Sequence, residues 1–246
     1  MPFLPLDLLK SGASELGIEL DGIQLDQFDR FAAFMVETNR KFNLTRITDP
    51  EAIVTNHILD SLTCLWAVDL PIGAKVIDVG TGAGFPGIPV KIARPDLHVT
   101  LLDGTFKKVK FLSEAIALLS LGGIEPVHGR AEELAHEKGH RERYDAVYVR
   151  ALSELKPLVE MCLPFAKVGG RLVAQKGPEI EEELAAARPM IGQLGGAVEK
   201  TVRTHIPGTD VARTLVVISK IKQTPRQYPR AYAKIAGAAR RPGIGK

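Results

Sequence analysis

Apolar positions along the chain change their spacing near residue 71. Between 24 and 41, Leu25, Phe28, Phe31, Ala32, Met35 and Val36 recur at intervals of three and four, the period of one face of an amphipathic helix. A second helix is predicted from Asp49 or Pro50 to about residue 68, because a capping acid followed by proline is a good helix start. Beyond Pro71 and Gly73, short apolar runs alternate with helical stretches. Strands are predicted at 75–79, 98–102, 124–128, 146–149, 171–174, 197–204 and 214–219, with helices at about 87–94, 105–121, 131–137, 154–167 and 179–194. Strands that alternate with helices make βαβ units and a parallel sheet. The last two strands depart from this, because the loop HIPGTDVA between them is too short for a crossover helix and suits an antiparallel hairpin.

Seven mostly parallel strands with an antiparallel end resemble the Rossmann-like sheet of class I methyltransferases more than a dinucleotide fold. The α/β organisation predicted is an N-terminal helical extension over 1–70, a core over 71–220 and a tail over 221–246. The length, 246 residues, suits one large domain with a small extension. Cys64 and Cys162 lie far apart with no C-x-x-C or histidine cluster nearby, which argues against structural zinc or a disulfide scaffold. The first twenty residues lack a basic segment and are broken by prolines and acids, so they do not read as a signal peptide. No run of about 18 apolar residues suggests a membrane span. The expectation is a cytoplasmic protein that does not engage a membrane.

Net charge, +3 overall, is unevenly spread: from 211 to 246 there are nine Lys or Arg and no acid, leaving a balance of −6 over 1–210. Such a tail is either a solvated end or a polyanion contact.

The candidate chemistry begins at VIDVGTGAGFPGIPV, residues 76–90, where four glycines fall within eight residues. Gly82, Gly84 and Gly87 match G-x-G-x-x-G, with Asp103 about 20 residues on, the dinucleotide fingerprint. Shifted back by two, Asp78-x-Gly80-x-Gly82-x-Gly84 is the pattern of an S-adenosylmethionine (SAM) site. A pyrophosphate needs backbone N–H groups at a helix start, yet Pro86 has none to offer and the Asp78 carboxylate would repel it. Both residues suit SAM, whose ammonium and sulfonium are cationic, with the glycines letting the backbone pass close to the ligand. In either frame Asp103, ending the second strand, is placed for ribose hydroxyls or as a cap for the following helix. Ala131 and Glu132 follow the third strand where an adenine edge would lie.

The acceptor chemistry is read from what the fourth strand lacks. YDAVYVRALSEL has no Cys, which carbon methylation of pyrimidines commonly uses, and no [ND]-P-P-[YF], which exocyclic amine methylation uses. A guanine N7 has a free lone pair and needs no base, so positioning alone can drive its methylation. Arg150 is a candidate for the SAM carboxylate or the guanine edge, or for a surface pair with Glu154.

The runs KFNLTRI (41–47), NHILDSL (56–62), VIDVGTGAGFPGIPV (76–90), LLDGTFKKVKFL (101–112), GRAEEL (129–134), YDAVYVRAL (144–152) and AQKG (174–177) closely resemble the RsmG family. These are the 16S ribosomal RNA guanine-N7 methyltransferases, also called glucose-inhibited division protein B. The resemblance spans about 25–232. It implies SAM as cofactor, methyl transfer to a guanosine N7 in the 530 loop of 16S rRNA, and cofactor contacts at Gly80, Phe85, Asp103, Gly104, Thr105, Ala131, Glu132 and Arg150, beside Asp78 and Gly82 from the glycine pattern. The partner expected is 16S rRNA or a small-subunit precursor, met by a monomer that carries no metal.

With that family in view, the tail becomes an RNA candidate. Arg226, Arg230 and Lys234 would meet phosphates and the interleaved Tyr228 and Tyr232 would stack on bases. Arg46 with Lys41, and Lys107, Lys108 and Lys110, would extend the basic face or be ordinary helix-surface charge. Asn43, Thr45 and His57 would form a polar lid over the transfer site, or cap helices and fill the core. The family's G-x-P ending is altered here to AGAARRPGIGK.

Overall fold

A computed structural model describes residues 1–150 and 153–239. Its strands are β1 (Lys75–Val79), β2 (His98–Asp103), β3 (Ile124–His128), β4 (Tyr144–Arg150), β5 (Ala166–Lys176), β6 (Gly196–His205) and β7 (Ala212–Lys220), in the order β3-β2-β1-β4-β5-β7-β6. β3 to β5 pair in parallel, while β7 runs antiparallel between β5 and β6. All seven strands lie where the apolar runs put them.

Successive strand side chains leave opposite faces of the sheet, so single residue steps sort the core into two layers. Val76, Leu101, Tyr148, Val173 and Val217 face one layer; Ile77, Leu102, Val147, Leu172 and Val216 face the other. The first layer is covered by α1 (Leu6–Glu15), α2 (Gly22–Asn39), α3 (Pro50–Ile53), a π-helical turn (Val54–Leu59), α4 (Asp60–Ala67), α5 (Gly87–Ala93) and α6 (Phe106–Leu118). The second holds α7 (Ala131–Leu134), α8 (Leu155–Cys162), α9 (Glu181–Gln193) and α10 (Tyr232–Ala239). The helical lead-in thus shares a core with the sheet.

Side-chain caps mark the starts of α2, at Asp21, and of α3. The Asp49 carboxylate accepts the Ala52 N–H at 2.9 Å, with Pro50 in the first turn of α3. The helix expected from 50 to 68 is interrupted by the π turn, and α1 was not expected at all. Leu9 and Ala13 of α1 are buried, and Gly12 sits where a Cβ would collide with Leu59. Cys64 and Cys162 are free thiols buried in opposite layers. No described helix is long and apolar enough to cross a membrane. The strand order reverses between β1 and β4, which in open α/β sheets is where ligands bind, beyond the carboxyl ends of the strands.

Candidate active site

β1 runs into the glycine turn, which is pinned to its neighbour: the Gly80 and Thr81 N–H groups both donate to the Leu102 carbonyl, at 2.8 and 3.0 Å. Gly80 takes a φ of 73°, which a residue with a Cβ rarely adopts. At Gly87 the reason for glycine is space, since a Cβ there would run into Leu101. α5 therefore packs close to β2. Asp78, fully buried below the turn, accepts the Thr81 hydroxyl at 2.6 Å and the Gly87 N–H at 2.8 Å on Oδ2, while Oδ1 has no partner. Burial pushes its carboxyl up to about 6, against the pull of those two hydrogen bonds and of Arg150.

Asp103 ties the β1 and β2 loops together. One carboxylate oxygen accepts the Gly82 N–H at 2.9 Å and the other the Thr105 N–H at 2.8 Å. Beside it opens a cavity of about 360 Å³ lined by Gly80, Asp103, Gly104, Ala131, Glu132 and Met161, and by Tyr232 and Ile235 of α10.

A second cleft, of about 690 Å³, lies at the β4 and β5 ends, with Arg46, His57, Asp60, Arg150, Gln175 and Arg213 on its walls. Asp60, 2% exposed, organises it: Oδ2 accepts from Arg150 at 3.1 Å and Oδ1 from Arg213 at 3.0 Å. Gln175 donates to the Asp60 carbonyl and the Thr63 hydroxyl, and its own carbonyl oxygen has no partner. The His57 ring stacks on Phe85 with centroids 4.4 Å apart, and the Arg150 guanidinium lies 5.4 Å from the same ring. Arg150 can only donate, so at 3.4 Å it takes the Nδ1 lone pair of His57, and Nε2 carries the hydrogen toward Thr45 Oγ1 at 2.8 Å. Burial, and then the Arg150 charge, hold His57 down at about 3. The imidazole is neutral and its lone pair is engaged.

A family model described as rRNA small subunit methyltransferase G matches residues 24–212. The chain belongs to this family. It is 46% identical over 228 residues to the ribosomal RNA small subunit methyltransferase G of Alkaliphilus oremlandii, covering 93% of this chain and 95% of that one. It is also 46% identical to the Roseiflexus castenholzii protein of that name, covering 92% and 96%. Among solved structures, TrmN from Thermus thermophilus is similar at TM-score 0.51 and 20% identity, over 65% of this chain and 48% of its own. TYW2 from M. jannaschii in complex with AdoMet reaches TM-score 0.50 at 16% identity, over 64% and 72%. These likenesses share the class I methyltransferase fold.

In this chain the expected cofactor residues divide between the two sites. Gly80, Asp103, Gly104, Ala131 and Glu132 line the cavity, and Gly82 and Thr105 anchor its rim through Asp103. Phe85 supports the cleft instead. Arg150 also turns to the cleft, and its acidic partner is Asp60 rather than Glu154. β4 ends at Arg150, so Glu154 is not one helical turn along from it but precedes α8. Asp78 lies beneath the turn, where it first holds the loop in shape.

The tail differs more from expectation. Arg230 pairs with Glu160, itself 1% exposed, at 2.6 Å, and Tyr228 packs on the second core layer. The Arg141 guanidinium donates to the carbonyls of Thr224, Pro225 and Tyr228, strapping this segment down. Tyr232 lies at the cavity mouth, 5.1 Å from the Arg130 guanidinium. Arg226, Lys234, Asn43 and Arg46 are exposed. Lys41, just past the end of α2, pairs with Glu37 of that helix, and Lys110 pairs with Glu114 one turn along α6. Residues 240–246 of the altered ending lie outside the described residues.

Sequence reasoning missed Asp60, Arg213, Gln175, Arg130 and Ile235. Asp60 stands three residues after His57 in NHILDSL, Arg130 in GRAEEL and Gln175 in AQKG, so three of the five fall in segments already singled out. Nothing in the local sequence marks Arg213 or Ile235.

Proposed function

We propose that this chain transfers the methyl group of SAM to N7 of a guanosine in the 530 loop of 16S rRNA, as a cytoplasmic monomer acting on the free rRNA or on a small-subunit precursor. The observation that carries the reading is a cleft of paired groups. The lone pair of His57 is taken by Arg150, Asp60 is held by two arginines, and Glu183 pairs with Lys176 at 2.6 Å. No group among them is poised to remove a proton, which suits an acceptor that has none to lose. Positioning can then supply much of the rate, by up to roughly 7–11 kcal/mol.

The residues present fit SAM. Asp78 Oδ1 is a buried carboxylate oxygen with no partner at the base of the glycine turn, complementary to a cationic amino group. Asp103 and Glu132 provide acceptors for ribose and adenine. When bound, SAM supplies an electrophilic methyl on a sulfonium. The protein's own residues do the rest: Asp103 and the Gly80 turn fix the cavity wall, Phe85 and His57 form the apolar floor of the cleft, and Arg150, Arg46 and Arg213 offer positive charge to the RNA. Phosphate contact is assigned to Arg226, Lys234, Arg46 and Asn43, which are exposed. The boundaries near 70 and 220 are taken as functional divisions, since the lead-in packs in the core of the sheet.

Calorimetry with SAM, S-adenosylhomocysteine and NAD tests the cofactor, and NAD binding without SAM binding would refute the reading. Mapping 7-methylguanosine in 16S rRNA from cells with and without the gene tests the acceptor.

A further inference from the structure

The tail was expected to serve RNA alone, yet its helix α10 forms a wall of the 360 Å³ cavity. Tyr232 and Ile235, three residues apart, fall on one side of the helix. Ile235 is 2% exposed and joins the second core layer, whereas Tyr232 is 48% exposed and has its ring under the Arg130 guanidinium. Arg130 is itself on the cavity wall, beside Glu132, to which it lies at 3.4 Å. The tail is held in place without any contribution from α10. Arg230 is bonded to Glu160 through its backbone N–H and guanidinium, and the Pro229 carbonyl is 2.8 Å from His136 Nε2. Arg141 and the buried Lys220, bonded to Glu142, secure the preceding segment.

We propose that Tyr232 and Ile235 complete the SAM site, with the Tyr232 ring, backed by Arg130, covering the nucleoside end of the cofactor and Ile235 forming its apolar side. The inference rests on the cofactor assignment above. The chemistry that would recognise the ligand is that of a purine nucleoside: a flat aromatic face for the ring of Tyr232, an apolar edge for Ile235 and Met161, and acceptors at Glu132 and Asp103. The Tyr232 ring is half exposed, lines the cavity and is fixed in place by the Arg130 guanidinium, so it offers an ordered aromatic face to whatever the cavity holds. Because the same segment carries Arg226 and Lys234, RNA contact at the tail and cofactor retention in the cavity share one docked element.

The test is calorimetry of S-adenosylhomocysteine with the full chain, unaltered and as Tyr232→Ala, Tyr232→Phe and Ile235→Val. Tyr232→Ala should weaken binding by about tenfold, 1.4 kcal/mol, and Tyr232→Phe should stay within about twofold because the ring remains. Tyr232 is half exposed, so thermal unfolding should not move, and Ile235→Val gives a second, smaller loss without emptying the core. Affinity unchanged in Tyr232→Ala overturns the inference, as does a loss of rRNA affinity with the S-adenosylhomocysteine affinity intact. If the unaltered chain does not bind S-adenosylhomocysteine, the cofactor assignment itself fails, a result separable from any effect of the variants.

Discussion

Asp60→Ala probes the cleft at its most connected point. The carboxylate is 2% exposed and accepts from Arg150 at 3.1 Å and Arg213 at 3.0 Å. Removing one partner of a buried ion pair costs ~3–5 kcal/mol, mostly from the charge left uncompensated. Here the two arginine side chains keep 17% and 25% exposure, so water can reach them and the expected loss is smaller, about 2–3 kcal/mol. For a chain of this size, each kcal/mol lowers the unfolding midpoint by ~2–4 °C, so the midpoint should fall by about 4–12 °C in calorimetry. Arg150 would also lose the anchor that aims it at Phe85 and His57, and methyl transfer to rRNA should drop by at least about tenfold in kcat/KM, since small misplacements are costly for a reaction driven by positioning. S-adenosylhomocysteine affinity should hold, because Asp60 does not line the cofactor cavity. Asp60→Asn, which keeps one acceptor oxygen, should lie between. An Asp60→Ala protein with an unchanged midpoint and unchanged turnover would refute the account of the cleft.

Asp78→Asn should weaken SAM binding by about tenfold at neutral pH and flatten its pH dependence, whereas unaltered protein should lose affinity as pH falls through about 6; binding isotherms at several pH values decide this. The stability signs oppose each other: between the ordinary 3.8 and the folded 6, Asp78 holds its proton better in the folded chain and favours folding as pH drops, while His57, at 3 against an ordinary 6.5, disfavours folding over much of the same range. Asp78→Asn should therefore make acid unfolding steeper in urea titrations at pH 7, 5 and 4, and an unchanged slope would contradict the buried ionisation. Arg230→Ala leaves Glu160 buried without its cation and should destabilise by roughly 1–3 kcal/mol, with a weaker S-adenosylhomocysteine affinity as α10 loosens; a stability loss with no change in affinity would separate the tail from the cavity. Arg226→Ala should reduce rRNA affinity and lower the salt slope by about 1 with no effect on the cofactor, and an unchanged slope removes Arg226 from the RNA surface.

The sheet was legible because each strand contributes to two buried layers, and a run such as Val76 to Val79 cannot be confused with a solvent-facing element. β5 was read only over 171–174 because its first half is Lys167-Val168-Gly169-Gly170, partly exposed and without alternation. The π turn was hidden for a different reason: its residues continue the helical apolar period, which does not distinguish an α turn from a π turn. α1 was masked by prolines at 2 and 5, although proline ahead of a helix is compatible with its start. A linear count of charge does not show which cations of the basic stretch are paired. Of the nine cations counted from residue 211 onward, Arg213, Lys220 and Arg230 are met by Asp60, Glu142 and Glu160 from distant parts of the chain. A charge run predicts a polyanion surface only where the fold brings no acid to it.

The glycine turn joins the two sites into one device. Gly80 and Gly82 shape the cavity, and three residues later Phe85 supplies the surface on which His57 stacks and over which Arg150 lies. Phe85 is in turn backed by Phe31 at 5.5 Å and, through it, by Phe111. A ring so embedded has little freedom, so one loop carries both the cavity wall and the surface of the cleft on a few rigid residues. That explains why this pattern needs glycines at the close approaches and an aromatic after them, while dispensing with a nucleophile or a base. For an acceptor whose lone pair is already free, the function proposed above assigns the catalytic contribution to the distance and angle such a loop would hold, and assigns the arginines of the cleft to the RNA.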